Sequence, residues 1–357
     1  MKQRIESISG STVLYDVPKV EYGAYHGCTP YPICLKACAN YLGQEMDYDA
    51  AMAGSGAGFR LTWDKTAWNA GNVDVIFAYD DPVRIYAKGV AFLGRKFNFL
   101  GRKPGVSKED FINFIRNEID EGHPCIALGI IGPPETCVIT GYRDSGETLL
   151  GWNVFQDNPE FGASVTFDDS GYFVTRSWWE NPETLGLISM GDQTEEEFDL
   201  EAFLGNAIEV LTGRECGRYA KGLLAYDFWK KSVEDDSQFS ANAIMSLLVE
   251  RLMCQGDAMD TLIDGRSNVS SYLKKLAEKY PENRKPLNAA AGYFNQVAEK
   301  VGQMARILGG WQRGEQQMKA FTRPEIRREI GSLISACKEA DKAALEILIF
   351  VHQQIKH

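Results

Sequence analysis

A cysteine stands directly before a predicted helix near the start of the chain. Cys28 precedes Pro30 and Pro32, and the apolar residues 33–42 that follow predict a helix ending at Gly43. The positive end of a helix dipole stabilises a thiolate and lowers the pKa of the thiol, which is how thiol enzymes obtain a nucleophile. Cys28 is therefore the first candidate nucleophile. Cys34, in the first helical turn, is the second, and the competing interpretation is that both are small buried hydrophobes.

A carboxylate stands beside another thiol in the middle of the chain. Residues 124–131 and 137–142 read as two buried strands, and the loop between them ends at Glu135. Alternation along the second strand places Glu135, Cys137 and Ile139 on one face. A third strand, residues 148–152, follows the turn at residues 143–146. The sequence thus predicts a carboxylate and a thiol at one end of this strand set.

The amino-acid sequences of these segments resemble those of a known family. Four segments are similar to those of the butirosin biosynthesis protein H N-terminal-like family. They are Gly-Ile-Ile-Gly-Pro-Pro-Glu (129–135), Ile-Thr-Gly-Tyr (139–142), Gly-Trp-Asn-Val-Phe-Gln (151–156) and Gly-Leu-Leu-Ala-Tyr-Asp-Phe-Trp (222–229). In layout the chain also resembles bacteriocin-processing cysteine peptidases. The resemblance implies a papain-like fold followed by a helical region. It also implies acyl transfer from an acyl carrier protein, the activity of the family's named member.

The resemblance also exposes a departure at the catalytic position. In the papain-like pattern the catalytic histidine lies six residues before the Gly of Gly-Tyr, and here that residue is Glu135. A carboxylate raises the pKa of a nearby thiol and cannot form the imidazolium half of an ion pair. The resemblance assigns the orienting polar group to Asn153, which would have no imidazole to orient. We therefore expect altered or degenerate chemistry at Cys28, Glu135 and Asn153.

Three functions remain open at this stage. The first is a thiol acyltransferase, amidase or peptidase, in which a protonated Glu135 would serve as the acid. The second is a cleft without turnover, in which Glu135 anchors a cationic group such as an amine. The third is an interaction role for the helical region, whose apolar faces could form a homodimer. Candidate binding residues of the cleft are His26, Cys34, Cys137, Trp152 and Gln156.

The elements that must position these residues change in character near residue 190. Before it, short strands alternate with Gly and Pro, and a second helix follows the capping residue Ser107. Predicted strands also lie at residues 73–78, 164–167, 171–175 and 185–190. After it, a capping box at residues 194–197 opens a series of helical stretches: 198–211, 217–233, 240–257, 267–280, 286–308 and 324–355. The sequence therefore predicts an α+β papain-like domain, 1–190, with its first helix against an antiparallel sheet, and an all-α bundle, 194–357. No strand is expected between residues 200 and 350.

Composition limits the partners. The 357 residues carry a net charge of −11, which argues against nucleic acid and anionic lipid as partners. No apolar run approaches the roughly 20 residues of a membrane helix, and no secretory signal is visible at the N-terminus. We expect a cytoplasmic protein with reduced thiols. No cysteine pair has zinc-ligand spacing and no cofactor motif occurs, so the expected partner is a small-molecule or peptide-like ligand, with an acyl carrier protein as a further candidate.

Overall fold

The structure is a computed structural model that describes residues 4–23, 27–162, 165–195, 198–240 and 243–356. The chain divides into two compact units. The sheet unit comprises residues 1–51 and 86–198, and the helical unit comprises residues 52–85 and 199–357. The chain passes between the units three times, and the expected boundary near residue 190 is close to the third passage, at residues 198–199. The sequence did not indicate that residues 52–85 leave the first unit, and the expected continuous domain of residues 1–190 is corrected accordingly.

The sheet unit is built on one antiparallel sheet of nine strands. These are β1 (Arg4–Ile8), β2 (Ser11–Tyr15), β4 (Phe99–Gly101), β5 (Cys125–Leu128), β6 (Thr136–Arg143), β7 (Thr148–Trp152), β8 (Thr166–Phe167), β9 (Phe173–Thr175) and β10 (Gly186–Ile188). Strand β3 (Thr62–Asp64) belongs to the other unit. Their order is β4-β10-β5-β6-β7-β9-β8, and the β1–β2 hairpin joins through pairing of β2 with β6. The central strands β5 to β7 are buried almost throughout, as their apolar sequences predict.

Two predicted helices of this unit are confirmed. Helix α1 (Pro30–Tyr41) packs on β5 and β6, and Gly43 follows its end with a φ of 77°. Helix α4 (Lys108–Asp120) begins with a full capping box between Ser107 and Asp110. Its apolar residues, Phe111, Ile112, Ile115 and Ile119, are buried. The remaining helices of the unit are α2 (Tyr48–Ser55), which crosses into the helical unit, and α3 (Arg84–Phe92), which begins in that unit.

The helical unit contains six of the α-helices in the described ranges. They are α5 (Leu200–Leu211), α6 (Leu223–Glu234), α7 (Met245–Lys279), α8 (Arg284–Leu308), α9 (Glu315–Phe321) and α10 (Pro324–Ile355). Their core surrounds Trp63 and Trp229, whose rings stack at 5.9 Å. A buried ion pair joins Arg266 of α7 to Asp341 of α10 at 2.7 Å, and the Tyr226 hydroxyl donates to the same carboxylate at 2.7 Å.

The expectation of no strand after residue 200 is wrong. Strands β11 (Arg214–Cys216) and β12 (Tyr219–Lys221) form a hairpin, and β12 pairs with β3 (Thr62–Asp64). The turn of this hairpin includes Gly217, with a φ of 57°. The predicted helix 217–233 consequently begins only at Leu223. Because Tyr219 of β12 pairs with Asp64, which lies 155 residues earlier in the chain, no local pattern at residues 214–221 could reveal the sheet.

Three further predictions are corrected. Residues 73–78 form short 3-10 turns rather than a strand, since the side chains of Asn69 and Asp74 accept hydrogen bonds from the backbone that follows each. Helix α7 continues through Gly265, where a break was expected. Helix α5 is capped by Asp199 rather than by residue 194, and residues 196 and 197 of the expected capping box lie outside the described residues.

No helix within the described ranges is both long enough and apolar enough to cross a bilayer.

Candidate functional site

Three chain segments meet at one edge of the large sheet, namely the edge formed by the ends of its central strands β5, β6 and β7. The register pairs Ala127 of β5 with Cys137 of β6, and Val138 of β6 with Trp152 of β7. The end of β5, the start of β6 and the end of β7 therefore share this edge. The loop 129–135 connects the first two, and Asn153 follows the third. Glu135, half-buried, is the last residue before β6.

Helix α1 brings two thiols to the same edge. Cys34 in its second turn lies beside Thr136, the first residue of β6. One turn further on, Cys38 lies deeper, within the electrostatic reach of Cys137 and Cys125. The N-terminus of α1 is thus directed toward the loop 129–135, and the chain that precedes the helix approaches from that side.

Cys28 lies on this approach and is exposed, in contrast to Cys34. The preceding residue, Gly27, is packed so tightly that an added Cβ would meet the Tyr48 ring at 2.3 Å. The Tyr48 hydroxyl accepts a hydrogen bond from the backbone N–H of Thr29 at 3.2 Å. Tyr48 therefore fixes the backbone on both sides of Cys28. His26 lies outside the described residues.

The buried thiols of the site are held in the neutral form. Burial raises the pKa of Cys34 well above its usual value, and the neighbouring thiols of Cys137 and Cys38 and the carboxylate of Glu135 raise it further, while the nearby Thr136 hydroxyl has a smaller opposite effect. Burial raises the pKa of Cys137 to about 12, although a hydrogen bond with Asn153 opposes the shift. At neutral pH both are therefore thiols rather than thiolates.

Asn153 organises the loop above these thiols. Its side-chain amide is buried and donates to the carbonyls of Gly129 at 3.1 Å and Ile131 at 3.4 Å. The Cys137 thiol also donates to the Gly129 carbonyl, at 3.6 Å. The Asn153 side-chain oxygen accepts from the backbone N–H of Phe155 at 2.8 Å. Its hydrogen bonds are thus directed to the loop and to Cys137.

Trp152 and Gln156, predicted to line the cleft, serve mainly to hold the surrounding chain. The Trp152 indole donates to the Val17 carbonyl at 2.9 Å. Gln156 accepts from the backbone N–H of Asn153 at 3.0 Å and donates to the Gly171 carbonyl at 3.3 Å. Both side chains are at least nine-tenths buried. Trp152 and Gln156 therefore stabilise the chain around the site rather than offer a surface to a ligand.

The loop 129–135 is strained. Ile130 has a φ of 72°, a left-handed conformation that is rare for a β-branched residue. Its neighbours Gly129 and Gly132 also have positive φ, and a Cβ at position 129 would meet the Glu183 carbonyl at 2.1 Å. The Thr184 hydroxyl accepts from the Ile130 N–H at 3.4 Å. Such conformations cost of order 1–3 kcal/mol and cluster at functional sites.

An aromatic cluster borders the strained loop. The rings of Tyr22 and Phe155 meet edge to face at 5.8 Å, and Phe155 contacts Phe161 at 5.2 Å. Phe161 in turn lies against Gly132, where an added Cβ would approach its ring to 2.9 Å. The side chain of Tyr22 is 46% exposed. The edge therefore offers a carboxylate beside a partly exposed aromatic surface.

Histidines and metal-binding side chains are the other groups that could do chemistry in the described residues. His123 precedes β5, at the opposite end of that strand from the loop 129–135, and His352 belongs to the helical unit. His123 is therefore not at this edge of the sheet. No group of three or more metal-binding side chains occurs in the part of the chain that the structure describes.

Several residues of the site escaped sequence reasoning. Thr136 lies beside the Cys34 thiol, and Thr184 and Ile130 shape the loop, but none of the three belongs to a motif. The Gly and Pro residues of the loop did signal a turn. A left-handed isoleucine gives no signal in a single sequence, because its conformation is imposed by the surrounding contacts.

Comparison with known proteins does not assign the chain to a family. No protein-family model matches the chain, and no curated protein matches it significantly.

Proposed function

We propose that the sheet unit is a papain-like domain whose catalytic histidine is replaced by Glu135, and that it binds a small amine or a peptide-like ligand at the edge described above. The observation that carries the proposal is the meeting of α1, Glu135 and Asn153 at one edge of the sheet, around a strained and heavily braced loop. This is the arrangement expected for helix, base and orienting residue in a papain-like domain. A carboxylate in the base position suits recognition of a cation.

The state of the thiols favours binding over turnover at Cys34 and Cys137. A thiolate is the nucleophile in thiol catalysis, and both groups have raised pKa values. The negative charge of Glu135 adds to the shift at Cys34. Neither residue is therefore suited to forming an acyl-enzyme at neutral pH.

Acyl transfer on Cys28 is the second candidate, favoured by its exposure two residues before the helix. In that reaction the Cys28 sulfur would attack a thioester, such as one carried by an acyl carrier protein, and the Cys28 proton would leave with the carrier thiol. Glu135 would then take the first proton of the bound ammonium ion, so that the neutral amine can attack the acyl group on Cys28. The second amine proton would pass to the departing Cys28 sulfur, which restores the free thiol.

Amine binding can be tested with butylamine as the probe and butanol as its neutral counterpart. We expect butylamine at millimolar concentration to raise the melting temperature of the wild-type chain and butanol to have a smaller effect. Glu135→Gln should abolish the difference because it removes the charge and preserves the shape. Glu109→Gln removes an exposed carboxylate on α4 of the same unit and serves as the control. Equal stabilisation of the wild-type and Glu135→Gln chains by butylamine would contradict the binding proposal.

Acyl transfer is tested by mapping alkylation with iodoacetamide at pH 8. Cys28 should be modified, whereas Cys34 and Cys137 should remain unmodified in the folded chain. If the site is degenerate, Glu135→His should raise the alkylation rate of Cys28, because an imidazolium stabilises the thiolate. If Glu135 instead acts in acyl transfer, the same change should abolish transfer from an acyl thioester to butylamine. Rapid alkylation of Cys34 in the folded protein would contradict the assignment of the thiols.

A further inference from the structure

The outer edge of β1 is unpaired in the described part of the chain. β1 pairs only with β2, and all five of its residues are exposed. They include two isoleucines, Ile5 at 45% and Ile8 at 67% exposure. An exposed strand edge presents unpaired N–H and C=O groups that can pair with another strand. The backbone orientation and the side chains of β1 determine which strand can pair with it.

The hairpin fixes which backbone groups point outward. Only two residues separate Ile8 from its partner Ser11, so these two form the hydrogen-bonded pair that closes the turn. Hydrogen-bonded pairs alternate along an antiparallel ladder, so Glu6 and Arg4 also bond inward to β2. The N–H and C=O groups of Ile5 and Ser7 therefore point to the open edge.

We propose that this edge is a dimerisation surface, at which β1 of two copies of the chain pair antiparallel about Ile5. In this register the outward groups of Ile5 bond with those of the second Ile5. Arg4 of each copy then lies directly opposite Glu6 of the other, in the non-hydrogen-bonded pairs where side chains come closest. The two-fold axis produces this ion pair twice.

Charge selects this register over its neighbour. The outward groups of Ile5 and Ser7 also allow pairing about Glu6, with Ile5 opposite Ser7. That register places Glu6 opposite the Glu6 of the second copy, and like charges in that position are destabilising. The strand is thus complementary to itself at its centre. This complementarity favours a second copy over an unrelated peptide.

The side chains are arranged to allow this approach. Arg4 lies over the Tyr15 ring, with its guanidinium carbon 4.6 Å from the ring centre, so it stays on the face it shares with Glu6. Ile5 is on the other face, where its terminal carbon reaches Gly122. The ion pairs of the dimer would therefore form on one face of the extended sheet and the Ile5 contact on the other.

Sedimentation equilibrium of the full chain tests the proposal. We expect a concentration-dependent mass rising from 39.8 kDa toward twice that value. Arg4→Glu and Glu6→Arg should each weaken dimerisation at least about tenfold, because each replaces two ion pairs by two repulsions. The double variant Arg4→Glu with Glu6→Arg restores opposite charges and should recover the dimer. A wild-type chain that stays monomeric at 0.2 mM, which is the outcome expected if another protein covers this edge, would overturn the proposal. So would a double variant no better than the single ones.

A cross-link tests the register independently of the charges. Opposed residues of a hydrogen-bonded pair have Cα atoms about 5.5 Å apart, within the range of a disulfide. Ile5→Cys should therefore give a covalent dimer on mild oxidation. In Ile8→Cys the two new thiols would be separated by about 20 Å, at six residues along the strand. That variant and the wild type are the controls for the native thiols. Equal dimer yields from both variants would refute pairing about Ile5.

Discussion

Buried charge is placed very differently in the two units. In the sheet unit, the half-buried Glu135 carboxylate raises the pKa of the buried Cys34 thiol, so that it opposes formation of a thiolate. In the helical unit, Asp341 is matched by Arg266 and by the Tyr226 hydroxyl, and all three residues are fully buried. The remaining N–H groups of Arg266 donate to the carbonyls of Gly58 and Arg60. Disruption of this second network should therefore reduce the free energy of unfolding more than a change at Glu135.

Removal of Asp341 is therefore expected to be strongly destabilising. Asp341→Ala would leave the Arg266 charge buried without its partner, and such changes cost about 3–5 kcal/mol. Asp227→Ala removes the carboxylate of an exposed pair with Lys338 and should cost less than about 1 kcal/mol. Urea denaturation measures both. Equal losses from the two variants would show that the buried pair contributes no more than an exposed one.

The candidate site was predictable only as far as its residue types. The sequence indicated a thiol before a helix, a carboxylate before a strand and Asn153 after the next strand, and the structure brings Cys34, Cys137, Glu135 and Asn153 to one edge. Burial was not predictable. Cys34 lies in a helical turn as suitable for a nucleophile as any, and only the sheet that covers it makes it inert. The role predicted for Cys28 remains a prediction.

Helix α7 shows how contact between elements overrides a local signal. A glycine inside a helical pattern suggests a break, yet the helix runs through Gly265 without interruption. An added Cβ at this position would meet the Gly58 carbonyl oxygen at 2.6 Å. The next residue, Arg266, donates to the same oxygen at 2.6 Å. The glycine allows the backbone of residues 58–60 to lie against the helix.

Replacement of this glycine should therefore destabilise the protein. Gly265→Ala would gain about 0.5–1 kcal/mol of helix propensity but would force the two backbones apart, at a typical cost of about 1–3 kcal/mol. We expect a lower melting temperature. Gly292 of α8 has open space at the Cβ position, so Gly292→Ala should raise stability by up to about 1 kcal/mol. If Gly265→Ala were as stabilising as Gly292→Ala, the close contact would be incorrect.

Elements with local signals were predicted well, and elements made by distant pairing were not. The capping box of Ser107 and the proline at the start of α10 each mark a helix that the structure confirms. Strands β11 and β12 have only three residues each and depend on β3. Their formation depends on a partner that is far away in the sequence.

The molecule as a whole is organised by a chain that enters its second unit twice. Residues 52–85 belong to the helical unit together with residues 199–357, and the sheet unit is completed between them. Within the helical unit, β3 contributes Trp63, which stacks on Trp229 and donates to the Ser232 hydroxyl at 3.0 Å. The early segment is thus part of the core of the late helices.

A fragment of residues 199–357 should consequently fail to form a stable domain. It lacks Trp63, the third strand of the small sheet, and the carbonyls that receive Arg266. We expect a broad thermal transition and poor dispersion of amide signals in an NMR spectrum. Joining residues 52–85 to residues 199–357 through a flexible linker should restore a cooperative transition. Cooperative unfolding of the shorter fragment would mean that the early segment is dispensable.

Because the helical unit is formed by two separate segments of the chain, its first segment is synthesised well before the second. Trp63 leaves the ribosome long before Ala340 of α10, another residue of the same core. At about 5–20 residues per second, the 277 intervening residues take about 14–55 s to translate. During this interval the indole has no completed core to enter, whereas the sheet unit can already close after residue 198. The apolar side chains of the early segment therefore lack their core partners on the nascent chain until α10 has been synthesised.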